Sequence, residues 1–315
     1  QLCYNKLTYE MRLFMKKDYA VSALAYQKQI RIYAGISTQM VNEAFRIHET
    51  FPTASAALGR LLTVSSLFSL MSDETDHLTL RIEGDGPLRG MLVEAKNGIV
   101  KGDVNNPYVY LKYEEGPKAG HLNVGAAVGT GYLHVTKKLT GTTDFFTSSI
   151  ALVSGEIGDD FTYYFAKSEQ TPSSVGLGVL VNPDYTIGVA GGYILQVLPG
   201  CSSEVLDSIE SVLSGMTSIT DLLKTGKTPE DIIALLANGT QEIMGRHEIK
   251  YECDCSKKNF EKSLSTLNKE MLETLAHEDH GAEITCHFCK KTYHFTELDL
   301  LKLVEHKQKE ENSKI

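Results

Sequence analysis

Cys253-Asp254-Cys255, then thirty residues, then Cys286-His287-Phe288-Cys289: these two short pairs decide how the end of the chain can fold. Four thiolates can surround one Zn²⁺ tetrahedrally, and two close pairs joined by a long excursion are how many structural zinc sites are built. The competing explanation, burial of small apolar side chains, is weak. Cys253 and Cys255 would alternate on a strand, while the second pair sits beside polar, turn-forming neighbours. His247, His287 and His294 lie close enough in sequence to replace a thiol. A closed Cys₄ site needs none of them and leaves no open position for substrate or activated water, which disfavours a catalytic zinc. One Zn²⁺ per chain is therefore expected in the reduced protein, on Cys253, Cys255, Cys286 and Cys289. The other two cysteines, Cys3 and Cys201, have no local partner.

The 69 residues of 247–315 are near the size at which a hydrophobic core alone supplies only about 3–5 kcal/mol. Structural zinc contributes apparent binding energies of about 10–16 kcal/mol, so loss of the metal is expected to unfold this tail. Oxidants can cause that loss, because peroxide converts thiolate sulfur to sulfenic acid and then to disulfide, which no longer ligates zinc. The outcome depends on which sulfurs pair. A Cys253–Cys286 bond closes a loop of over thirty residues and could hold the tail together, whereas bonds between neighbours close tiny loops that constrain little of the unfolded ensemble. The tetrad can thus serve as a structural clip and as an oxidation-triggered unfolding device.

Working outward, the 315 residues are 42% hydrophobic and 23% charged, an ordinary globular composition with length for roughly two domains. The longest apolar candidate, 58–71, is interrupted by Arg60 and falls short of the roughly 20 residues a membrane span needs. A soluble protein with no membrane partner is expected. With 40 acidic against 31 basic side chains the net charge is −9, which argues against nonspecific nucleic-acid binding. Residues 1–14 carry no apolar core of a secretory signal, so a cytoplasmic location is expected. Met15-Lys16-Lys17-Asp18 reads as a natural start, with 1–14 an upstream extension set aside from the fold.

The fold class expected is α+β: a mixed α/β core over 15–200, a helical linker over 201–246 and a small zinc-binding, redox-switch domain over 247–315. Val41, Ala44, Phe45 and His48 follow helical spacing, and Pro52-Thr53 opens a second, apolar helix toward Met71. Leu78, Leu80 and Ile82 alternate with polar residues as in a half-buried strand, stopped by Gly84-Asp85-Gly86-Pro87. Residues 91–96 and 99–104 flank Asn97-Gly98, a type I′ hairpin signal. Further strands are expected at 132–137, 160–165, 175–181 and 185–197. After Pro199-Gly200, Val205, Ile209, Val212, Leu213 and Met216 form an amphipathic helical stripe. Thr228-Pro229-Glu230 supplies an N-cap, a proline at the first helical position and an acidic first turn, and Asn238-Gly239 ends that helix. Residues 257–277 and 297–309 are helical patterns around the second cysteine pair.

These features together resemble a known family, the redox-regulated bacterial holdase chaperones called 33-kDa chaperonins. The resemblance covers essentially all of 15–310. It is carried by the two cysteine pairs, by Pro52-Thr53-Ala54-Ser55-Ala56-Ala57-Leu58-Gly59-Arg60, and by Cys286-His287-Phe288-Cys289 with Tyr293-His294-Phe295. A further mark runs from Ser154-Gly155-Glu156-Ile157-Gly158 through Tyr163-Tyr164-Phe165 to Ser168-Glu169-Gln170-Thr171-Pro172-Ser173. None of the four ligand positions departs from the family pattern. The resemblance implies ATP-independent binding of unfolding proteins after oxidation of the four thiols to two disulfides, with dimerisation of the active form and no enzymatic reaction. Leu206, Ile209, Leu213, Leu222 and Leu223 of the linker offer an apolar face that could meet clients. The plainer account is a helix face packed on the core, and the two are compatible if the face is released.

Two other classes compete. A zinc ribbon that binds nucleic acid needs local positive charge, but 247–315 holds 11 basic and 14 acidic residues. An oxidoreductase using Cys286 and Cys289 needs an exposed low-pKa thiol, which zinc ligation by all four sulfurs opposes. Gly84-Asp85-Gly86 lacks the third glycine of a phosphate loop and reads as a turn, and no Walker motif is present. His277, Asp279 and His280 read as solvated rather than as a second metal site, and Tyr163-Tyr164-Phe165 as strand core or interface.

Overall fold

A computed structural model describes residues 17–72, 76–141 and 144–312. The expected extension 1–14, with Cys3, lies outside the described residues. The chain divides into two compact units between Glu252 and Cys253.

The first unit is built on two sheets. One runs β10 (Glu242–Glu248), β1 (Tyr19–Ala25), β2 (Ile30–Ile36), β9 (Ile187–Val197), β8 (Ser173–Val181), with every neighbouring pair antiparallel. The other runs β11 (Lys250–Tyr251), β5 (Ile99–Val104), β4 (Met91–Lys96), β3 (His77–Gly84), β6 (Gly131–Lys138), β7 (Phe145–Ala151). In it only the short β11 runs parallel to its neighbour. Helix α1 (Thr38–His48) leads into α2 (Pro52–Ser69), which packs on β8 and β9 of one sheet and β4 and β5 of the other.

Helix α2 is buried along its length except at Arg60, so its apolar surface runs all round rather than in a stripe. Small residues make the close approach possible: a Cβ on Gly59 would stand 2.6 Å from Val41 Cγ1. The hydroxyls this helix carries inward are satisfied, as burial requires. Thr63 and Ser65 donate to carbonyls one turn back at 2.7 and 2.6 Å. Ser66 donates to the Gly98 carbonyl at 2.9 Å, and the Gly98 N–H donates to Ser69 Oγ at 2.8 Å. These bonds seat the expected Asn97-Gly98 hairpin, whose φ angles of 44° and 82° are those a type I′ turn needs.

The expected linker also packs on this unit. Helices α5 (Ser203–Gly215), α6 (Ile219–Lys224) and α7 (Pro229–Leu236) bury Ile209, Ile219, Leu223, Ile232, Ile233 and Leu236 in a second core. The sheet contributes Val21, Ile30, Ile32 and Leu195 to that core, so β1 and β2 are buried on both faces. Thr228 caps α7 as expected, in a reciprocal capping box with Asp231. The helical reading of 201–246 ends early, however. Residues 242–246 lie in β10, hydrogen-bonded to β1, and the chain then passes through buried Ile249 into β11. The break between units accordingly falls after Glu252 instead of at the expected 246/247.

The strand expected at 160–165 is a helix, α4 (Gly158–Lys167); a five-residue helix, α3 (Val124–Val128), precedes it in this unit. Asp160 starts α4: its carboxylate accepts from the N–H groups of Val153 at 2.7 Å, Ser154 at 3.1 Å and Ile157 at 3.1 Å. Phe161, Tyr164 and Phe165 then fall on one buried face at helical spacing, while Tyr163 is exposed.

The second unit holds α8 (Lys257–Leu264), α9 (Lys269–His277), the hairpin β12 (Gly281–Thr285) and β13 (Thr292–Thr296), and α10 (Glu297–Asn312). The continuous helical pattern expected over 257–277 is two helices, because Asn268 caps a new one by accepting from the Met271 N–H. Leu264, Leu272, Ala276, Phe295, Leu300 and Val304 form its small core.

Candidate metal centre

The two cysteine pairs reach one point from different local structures. Cys253 and Cys255 lie on the irregular segment 252–256 that joins β11 to α8. Ser256 then caps α8 by accepting from the Asn259 N–H at 3.2 Å. Cys286 and Cys289 occupy the loop between β12 and β13. The Cys286 N–H donates to the Lys291 carbonyl and the Lys290 N–H to the Cys286 carbonyl, and Lys290 takes a left-handed φ of 58° to close the turn.

All four Sγ atoms lie within 4.8 Å of one another. Across the pairs, Cys253 Sγ is 3.7 Å from Cys286 Sγ and Cys255 Sγ is 3.3 Å from Cys289 Sγ. A tetrahedron with metal–sulfur bonds of about 2.3 Å has edges of about 3.8 Å, so the donor set fits a Cys₄ zinc site in number, element and spacing. Such distances are far beyond a covalent S–S bond, and all four thiols are free. Cys286 is buried and the other three are half-buried.

Crowding perturbs these thiols. Burial pushes Cys253 well above the ordinary thiol range, and its neighbour Cys286 adds to the rise. Burial likewise raises Cys289. At Cys255 burial acts upward too, but hydrogen bonds from Tyr293 and the neighbouring thiols outweigh it and hold this thiol below the usual range. The Tyr293 hydroxyl sits 3.2 Å from Cys255 Sγ and 3.0 Å from the Cys255 carbonyl oxygen. That hydrogen bond, with burial second, pushes Tyr293 up to about 12. Sequence reasoning missed Tyr293 as a partner of the tetrad. Only its place on β13, four residues beyond Cys289, hinted at it.

The weighed histidines stand elsewhere. His294 Nδ1 faces Glu283 Oε2 at 3.3 Å on the hairpin, and His247 Nε2 lies 3.1 Å from Ser22 Oγ in the first unit. The metal-capable cluster consists of the four cysteines, without His287. His277 and His280 face Glu297 at 3.4 and 4.0 Å on exposed surface. Asp85 pins its turn by accepting from the Thr130 N–H at 2.7 Å and hydroxyl at 2.6 Å. Of the candidate client residues, Ile209 and Leu223 are buried, Leu213 and Leu222 half-buried, and Leu206 exposed. Among the described residues no helix is long and apolar enough to cross a membrane.

A family model described as Hsp33 protein matches residues 18–296. The chain is 54% identical over 291 residues to the 33 kDa chaperonin of Acholeplasma laidlawii, covering 92% of this chain and 100% of that protein. It is 45% identical to the 33 kDa chaperonin of Listeria monocytogenes over 91% of this chain and 98% of the relative. A crystal structure of the 33 kDa chaperonin (heat shock protein 33 homolog) from Thermotoga maritima matches with a TM-score of 0.84 at 31% identity. That match covers 93% of this chain and 99% of the other.

Proposed function

The chain belongs to the Hsp33 family of chaperones, and from that premise we propose a redox-switched holdase. It is compact and inactive when reduced, and binds unfolding proteins without ATP once its four thiols are oxidised. The observation that supports this best is the tetrad, whose 3.3 and 3.7 Å cross-pair distances suit one zinc ion per chain. Bound there, zinc would supply positive charge against the repulsion of four thiolates and a cross-link between 253–255 and 286–289.

Oxidation acts on the sulfurs. A thiolate attacks peroxide, forming sulfenic acid and releasing hydroxide; a second thiolate attacks that sulfur, forming the disulfide and expelling a second hydroxide. Two peroxides thus turn four thiols into two disulfides. Cross-pairing of Cys253 with Cys286 and Cys255 with Cys289 would remove about 4 kcal/mol of chain entropy from the unfolded tail and so keep it folded. Neighbour pairing, Cys253–Cys255 and Cys286–Cys289, leaves the tail free to open, and we assign the activating form to it. Release of the connector helices would then present Leu206, Ile209, Leu213, Leu222 and Leu223 to clients. Activation by dimerisation, in the cytoplasm, belongs to the same proposal.

The test dilutes a chemically unfolded client into nucleotide-free buffer and follows light scattering. Reduced protein should leave aggregation unchanged and peroxide-treated protein should suppress it. If the treated protein has lost four thiols and aggregation proceeds unaltered, the proposal is wrong.

A further inference from the structure

A cleft of about 980 Å³ opens within the first unit, bounded by the connector helix α6, the first half of α2 and strand β8. That is room for a ligand of several rings. Its floor is apolar, with Pro52, Ala56, Val179 and Ile219. Its walls carry four full cations, Arg60, Lys112, Lys118 and Lys224, against two carboxylates, Glu156 and Asp221. A local excess of positive charge in a chain of net charge −9 points to an anion.

Both carboxylates are already engaged. Arg60 Nη1 is 2.5 Å from Glu156 Oε2, the Tyr113 hydroxyl donates to Glu156 Oε1 at 2.9 Å, and Lys224 Nζ lies 3.6 Å from Asp221 Oδ1. What remains to face a ligand is the exposed pair Lys112 and Lys118, since the unpartnered Arg60 Nε is itself buried away from solvent. The ammonium groups of Lys112 and Lys118 rest over the rings of Tyr110 and Tyr113 at 5.0 and 5.4 Å. Beside them, Tyr110 and Tyr185 stand edge-on with centroids 6.2 Å apart, and Tyr110 is largely exposed. Aromatic faces next to flexible cations recognise a planar ring joined to a phosphate.

We propose that this cleft binds a nucleoside phosphate, its base against Tyr110 and Tyr185 and its phosphates on Lys112 and Lys118, and that the bound ligand holds α6 on the body. The ligand acts as an effector and not as fuel, since no bond in it is broken. Because the cleft it fills is walled by the connector helix α6 as well as by α2 and β8, it binds the docked connector and not a released one. At a concentration one hundred times its Kd it lowers the released population about a hundredfold. The inhibitory part rests on the proposed release of the connector; the binding part does not.

The probe is ADP, titrated calorimetrically into the reduced, zinc-loaded full chain, with adenosine and pyrophosphate as separate arms. Saturable one-to-one binding of ADP is expected, with each fragment at least tenfold weaker. The exposed pair Lys112→Ala/Lys118→Ala should weaken ADP at least tenfold, whereas Asp221→Asn, which removes a repelling charge, should tighten it. Amides of 219–224 should exchange hydrogen at least tenfold more slowly with ADP bound. No saturable binding at millimolar ADP, or an affinity unmoved by the double variant, overturns the site. Pyrophosphate binding as tightly as ADP overturns the nucleoside assignment, and unchanged exchange at 219–224 overturns the clamp. Every reading is taken on reduced protein, so a failure of oxidative activation would leave this result standing, and the reverse.

Discussion

Stripping the metal from the reduced protein should unfold the second unit and spare the first. The second unit buries Leu264, Leu272, Ala276, Phe295, Leu300 and Val304, and its helices α8 and α9 have eight and nine residues. A core of ordinary quality at this size supplies at most about 3–5 kcal/mol. Helices so short do not persist alone, and the crowded thiols add a penalty, so the metal-free balance falls near zero. Structural zinc contributes about 10–16 kcal/mol, several times what the core can offer. The assay is hydrogen exchange before and after chelation under a thiol reductant, read at α9 and α10 in one unit and α2 and β9 in the other. Protection in α9 and α10 should fall by about a thousandfold or more, equivalent to about 4 kcal/mol, and α2 and β9 should not change. Re-addition of zinc should restore it. If α9 and α10 keep their protection without metal, the reasoning that makes zinc the main support of this unit is refuted.

Three further outcomes are expected. Gly98→Ala forces a side chain onto φ +82° with its Cβ 2.6 Å from the Glu248 carbonyl oxygen, and should cost about 2–3 kcal/mol in urea unfolding of the first unit; an unchanged midpoint would mean that the hairpin does not abut β10. Asp18 is buried, with Oδ2 accepting from the Met40 N–H at 2.7 Å and Oδ1 unpartnered, and burial raises its pKa to about 6. The folded state therefore holds this proton more tightly than the unfolded chain, with its ordinary value near 3.9, so stability falls as pH rises from about 4 to about 6, by about 3 kcal/mol in all. Asp18→Asn keeps the acceptor and should lack that fall; parallel pH profiles for the two proteins would contradict the assignment. Tyr293→Phe removes the hydroxyl beside Cys255 and should destabilise the second unit, read as a lower denaturation midpoint of the zinc-loaded form; an unchanged midpoint would contradict it.

The elements that carry their own local chemistry were legible in the sequence. Thr228-Pro229-Glu230-Asp231 starts α7, Asn97-Gly98 turns the β4–β5 hairpin, and the cysteine spacing alone brought the four sulfurs to one place. What tertiary context decides was not. Strands β1 and β2 are buried on both faces and so lack alternation, and their turn uses three left-handed residues, Tyr26, Gln27 and Lys28, with no glycine among them. Residues 161–165 look like a strand by aromatic content, and only the backbone bonds collected by Asp160 make them helical. Strand β10 is mostly exposed, with Ile243 and Met244 among charged neighbours, and is recognisable only through its partner β1. At the candidate metal centre the clustering of the four cysteines was readable, but the hydroxyl of Tyr293 and the cross-pair sulfur distances were not.

The account turns on a coupling between metal and sulfur, and the most direct measurement follows zinc and thiols in one titration. Peroxide is added stepwise to purified reduced protein while released zinc is read with a chromogenic chelator and remaining thiols are counted. One zinc should leave per chain, in step with the loss of four thiols, and mapped peptides should show Cys253 joined to Cys255 and Cys286 to Cys289. Reduced protein without zinc, or zinc retained after the four thiols are gone, would contradict it.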